Sequence, residues 1–84
     1  MLSQFPKDDR QILRLGMVAE LDAVSLYEQL ANSATSEDIK RVLLDIAKEE
    51  KTHVGEFEQM LLKLDLEQGT ENEKAKKEIE KLTG

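Results

Sequence analysis

Apolar residues recur at helical spacing over two long stretches of this chain, separated by a short polar break. In the first, Leu13, Met17, Val24, Tyr27 and Ala31 line one stripe, and Ile12, Leu15, Ala19, Ala23, Leu26 and Leu30 widen it. The run Asn32-Ser33-Ala34-Thr35-Ser36 breaks the pattern with turn-forming and capping residues. Thr35 with Asp38, or Ser36 alone, offers the cap of a second helix. That helix carries Ile39, Val42, Leu43, Ile46, His53, Phe57, Met60 and Leu64. Pro6 lies where a missing N–H costs nothing, and Asp8 and Asp9 suit the positive end of a helix dipole. Gly69 ends the second helix or closes the turn after it, before a short charged helix whose only large apolar residues are Ile79 and Leu82. These signals predict one all-α domain over 1–84, with an arm at 1–7, helices over 8–33 and 36–66, and a peripheral helix over 72–82.

Two helices of about 26 residues span about 39 Å but cannot enclose a core between them. Each stripe therefore needs further partners, and a second copy of the chain is the simplest supply. The expected fold is an antiparallel two-helix hairpin that dimerises into a four-helix bundle. At 84 residues the chain sits near the size where one core barely suffices. It contains no cysteine, so neither a disulfide nor a thiolate metal site can help. Self-association or binding of metal by other ligands is what remains.

Three polar residues interrupt the apolar stripes. Glu20 falls between Met17 and Val24, and Glu50 and His53 fall between Ile46 and Phe57. A carboxylate left unpaired among hydrophobes costs several kcal/mol or stays protonated. The hairpin supplies a remedy. Glu20 lies fifteen residues before Thr35 and Glu50 fifteen after it. In an antiparallel pair the two therefore share a height, roughly 22 Å from the turn. His53 stands about 60° round from Glu50 and about 4.5 Å further along. Glu50-Lys51-Thr52-His53 is thus a Glu-x-x-His pair that can grip one ion from adjacent turns. One Glu on each of two helices, with Glu-x-x-His on two more, is the ligand set of ferritin-like di-iron bundles. One chain holds half of it, and a two-fold axis would complete it with four carboxylates, whose charge two ferrous ions balance. Such ligands suit iron or manganese better than soft metals, and zinc accepts the same donors.

Charge sharpens this picture. A net charge of −6 and a pI near 4.8 argue against nucleic acid, which needs a basic face, and are compatible with cations. Met1 to Arg10 shows no basic segment followed by an apolar run, and no stretch reaches the roughly 18 apolar residues of a membrane span. The expectation is a soluble, cytoplasmic protein.

The segments Ala19-Glu-Leu-Asp-Ala-Val-Ser-Leu-Tyr-Glu28 and Ile46-Ala-Lys-Glu-Glu-Lys-Thr-His-Val-Gly-Glu-Phe57 resemble the two metal-binding helices of the encapsulated ferritins. They equally resemble the ferritin-like domain at the front of some archaeal encapsulin shell proteins, and the resemblance runs from about residue 10 to 66. It implies a ferroxidase centre at a homodimer interface, with dimers joined into a ring such as a decamer inside an encapsulin compartment. Glu20, Glu50 and His53 match the family's metal ligands, Glu50 as the bridging carboxylate, and Tyr27 matches the tyrosine beside the centre. Leu26 stands where family members often carry tryptophan. Ala19 and Asp22 occupy a secondary acidic site by which metal arrives, leaving Asp22 its one acid. Glu49 and Glu56 lie off the stripe near the motif, as solvated residues or a transient path for iron. The chain closes on Lys81-Leu82-Thr83-Gly84 without a complete Gly/Ser/Leu-type shell-docking tail, as in a fused front domain or a cargo with another route to its shell.

The resemblance thus implies an enzyme that oxidises Fe(II) with oxygen for iron storage or detoxification. A rubrerythrin-like or manganese-dependent peroxide scavenger would use the same ligands. A non-catalytic helical assembly module, its acids merely fixing register, is the alternative outside enzymes.

Overall fold

The structure is a computed structural model that describes residues 8–84. The expected arm at 1–7, with Pro6, lies outside the described residues. Three helices follow in order: α1 Asp9–Ser33, α2 Glu37–Leu64 and α3 Leu66–Thr83. No strand occurs among the described residues. Local chemistry explains each start. The Asp8 carboxylate accepts the Arg10 N–H at 2.8 Å and caps α1. Of the two candidate caps for α2, Ser36 fills the role, its Oγ accepting the Ile39 N–H at 3.3 Å.

The junction between α2 and α3 departs from the sequence expectation. Helix α2 stops at Leu64, α3 begins at Leu66 instead of 72, and Gly69 lies inside α3. Asp65 alone joins them. Its side chain accepts the Gln68 N–H at 3.1 Å, capping α3 six residues before the expected start. With a cap in place, a single glycine costs a helix only about 1 kcal/mol, too little to end it. Asp65 is also the one buried charged residue among those described, and the Arg14 guanidinium donates to it at 2.6 Å across the open end of the hairpin.

Helices α1 and α2 pack side by side along their length, whereas α3 meets α2 alone. The molecule measures 45 × 43 × 21 Å, with α3 projecting sideways from the hairpin. The hairpin seam is built from Val24 and Ala31 on α1 and Ala47 and Leu61 on α2, all buried. Small side chains let the backbones approach. Gly16 lies against the Phe57 ring, where a Cβ would stand 2.7 Å from Cε1.

The residues expected to widen the α1 stripe form a separate face. Ile12, Leu15, Leu26 and Leu30 on α1, and Ile39, Val42, Met60 and Leu64 on α2, remain 39–59% exposed. At 100° per residue, the α1 strip stands on average about 135° and the α2 strip about 95° from the seam, in the same rotational sense. On an antiparallel pair that places them on one flank. Two helices bury only one narrow line each, so this flank stays open. No helix among the described residues is long and apolar enough to cross a membrane.

Candidate metal centre

The seam and the open flank meet at the three polar interruptions. Glu20 comes from the middle of α1, Glu50 and His53 from the middle of α2. One donor atom from each lies within 4.8 Å of the others. His53 Nδ1 faces Glu20 Oε2 at 3.3 Å and Glu50 Oε2 at 3.4 Å. The carboxylates are largely covered, with side chains 23% and 19% exposed, while His53 is 47% exposed on the open flank. Equal height across the hairpin, set by the turn at Ser36, is what brings Glu20 to Glu50.

The donor set fits a metal ion. Both contacts to His53 exceed the usual 2.7–3.2 Å of a good N–H···O bond, so one ring nitrogen serves two carboxylates poorly. Donors held about 2.1 Å from a common ion stand about 3–4 Å apart, close to the spacing present here. Two carboxylates and an imidazole are also the hard and borderline donors that iron, manganese and zinc accept. An ion held by these three donors would face the exposed flank on the side of His53.

The other sequence candidates stand apart. Tyr27 is half-buried two turns further along α1, and Asp22 and Glu49 are exposed; none joins the three-donor group. Glu56 is likewise outside that group, but it borders a groove beside it, together with Leu13, Glu20, His53, Phe57 and Met60. The sequence pattern does not show this groove, because it reads Phe57 and Met60 simply as core. Lys51, next to Glu50 in sequence, pairs with Glu28 at 3.5 Å across the hairpin, an exposed contact of little energetic weight.

A helical hairpin carrying these side chains at its waist has the ferritin-like fold. The chain belongs to the rubrerythrin family, whose profile matches residues 11–83, and within it to the encapsulated ferritins that its sequence resembles. It is similar to the encapsulated ferritin domain from Pyrococcus furiosus, with a TM-score of 0.89 and 46% identity over 100% of this chain and 89% of that one. It is 53% identical over 74 residues to the ferritin-like–encapsulin shell fusion protein of Pyrococcus furiosus. It is 36% identical over 69 residues to the encapsulin nanocompartment cargo protein EncC of Myxococcus xanthus. These alignments take in 88% and 82% of this chain, but 21% and 51% of the two relatives.

Proposed function

We propose that the chain is a ferroxidase whose di-iron site forms between two copies, each giving Glu20, Glu50 and His53. The observation that carries this is the convergence of three donors at the edge of an unpartnered apolar flank. A second copy packed on that flank by a two-fold axis would bury the exposed strips and bring a second Glu/Glu/His set to the first. Bound there as substrate, Fe(II) gives up one electron per ion to dioxygen.

The chain's own residues do the rest. Glu20 and Glu50 hold fixed negative charge at the point where cation charge rises, which favours the ferric product over the ferrous substrate. Partial burial strengthens that field relative to water. His53 adds a neutral donor from the open side. Tyr27, Asp22, Glu49 and Glu56 are outside the three-donor group, and Asp22 and Glu49 sit on exposed surface where arriving iron would pass. The names of the relatives support placement in an encapsulin compartment, as fused domain or as cargo.

The test is Fe(II) oxidation in air, followed by ferric absorbance. Glu20→Ala and Glu50→Ala should each lose the rapid phase, whereas wild-type kinetics in both would refute a ferroxidase at this site. Membership of the rubrerythrin family supports a second reading, peroxide reduction by the same residues with iron or manganese. Anaerobic turnover of added peroxide faster than oxidation by dioxygen would favour it. An assembly module without catalysis would show neither activity, and chelation would leave its mass and melting unchanged.

A further inference from the structure

His53 aims Nδ1 at Glu20 and Glu50, so Nδ1 is the ring atom placed to share a cation with them. An imidazole that gives one nitrogen to a cation carries its proton on the other. Nε2 must then be N–H, turned away from both carboxylates. Histidine ligands generally donate that N–H to a carboxylate or carbonyl, which fixes ring orientation and tautomer.

The groove beside the ring contains a candidate acceptor. Of its six lining residues, only Glu20, His53 and Glu56 are polar, and Glu20 is engaged at Nδ1. Glu56 follows His53 by three residues on α2, the spacing at which helical side chains are neighbours. Among the described residues it forms no ion pair with lysine or arginine. The remaining walls, Leu13, Phe57 and Met60, are apolar and offer the ring no other partner.

We propose, resting on the assignment of Glu20, Glu50 and His53 as metal ligands, that Glu56 is a positioning residue. Its carboxylate makes no hydrogen bond to the ring in this structure; once Nδ1 engages a cation, it accepts the Nε2–H of His53 and holds the ring in the tautomer whose Nδ1 lone pair faces the two carboxylates. Glu56 thus acts on the metal through His53 and does not bind it. This separates it from Glu20 and Glu50, whose oxygens converge directly.

The test uses the full chain, with Zn(II) as a diamagnetic probe. Glu56→Ala should weaken zinc binding about 10–100-fold, the usual cost of losing a ligand's supporting partner. Glu56→Gln should recover a substantial part of that loss, because an amide oxygen still accepts an N–H although the charge is gone. Nitrogen-15 spectra supply an independent readout, unambiguous because His53 is the sole histidine. With zinc bound, Nε2 should carry the proton in wild type, and that proton should exchange faster in Glu56→Ala. Equal losses in the Ala and Gln variants would reduce Glu56 to bulk charge and overturn the proposal, as would zinc bound at Nε2. Unaltered binding in Glu56→Ala, with loss in Glu20→Ala and His53→Ala, would remove the role of Glu56 alone. If those last two variants also bind as wild type, the ligand assignment itself fails and Glu56 falls with it.

Discussion

Gly16 and Phe57 touch so closely that a methyl group on the former would stand 2.7 Å from the ring of the latter. Phe57 also walls the groove that Glu20 and His53 border, so this contact is at once a packing feature and a support for the site. Gly16→Ala gains up to about 1 kcal/mol of helix propensity but must push the ring aside, and overpacking costs about 1–3 kcal/mol. A net loss of about 1–2 kcal/mol in urea unfolding is expected. Adding Phe57→Leu should reverse the clash, leaving the double variant more stable than Gly16→Ala alone. A Gly16→Ala protein as stable as wild type would mean that the ring yields freely.

Two carboxylates are held below their ordinary range, and both cap helices. The Gln68 N–H chiefly, and then Arg14, lower Asp65, while hydrogen bonds from Arg10 hold Asp8 down at about 2. A depressed folded-state value stabilises the fold above the unfolded value, 3.8, and that contribution fades as pH falls through the folded value. Asp65→Asn should therefore lower the urea midpoint at neutral pH. Its gap to wild type should close as pH falls below 3.8 and through the depressed folded-state value. A gap that persists in acid would show that the charge of Asp65 is not what matters.

Metal bound at Glu20, Glu50 and His53, as proposed, would tie α1 to α2 and should raise thermal stability. At free metal about 100 times the dissociation constant, the gain is about 2.7 kcal/mol, measured anaerobically with Fe(II) or with Zn(II). A chelator should remove it, and Glu20→Ala and Glu50→Ala should show none of it. An identical shift in those variants would place the metal elsewhere.

Leu26 and Val42 stand 51% and 59% exposed on the open flank, where their replacement disturbs nothing within one chain. Leu26→Glu or Val42→Glu should keep the helical circular dichroism of wild type. If a second copy covers that flank, each charge would be buried unpaired at a cost of about 3–5 kcal/mol. Native mass measurement should then find monomers, and rapid Fe(II) oxidation should vanish with the assembly. Unchanged mass would exclude this flank as the interface.

Much of this is legible in the sequence, for physical reasons. The turn is readable because Ser36 caps where the apolar period breaks, and a fixed rise per residue then sets Glu20 level with Glu50. The seam is harder to read. Val24 and Ala31 fall on the stripe the period marks, but Ala47 and Gly16 line the seam because small residues permit close approach, whereas a search for large hydrophobes favours Leu30, Val42 and Met60, which face outward.

Asp65 is missed for a different reason. Asp65-Leu66-Glu67-Gln68 has the spacing of a capping box, but Gly69 draws the eye as a breaker. The ion pair with Arg14 joins positions 51 apart in sequence, and only the finished hairpin reveals it. The groove at Glu56 is hidden in the same way, since its walls come from both helices.

The single-residue joint at Asp65 gives the molecule leverage. Helix α3 has 18 residues and so reaches about 27 Å from that point, held to the body only at its near end. A tilt of about 10° there would swing its far tip by about 5 Å. A change at Arg14, on the opposite helix, could thus be felt most strongly around Leu82, the most remote apolar side chain of the arm.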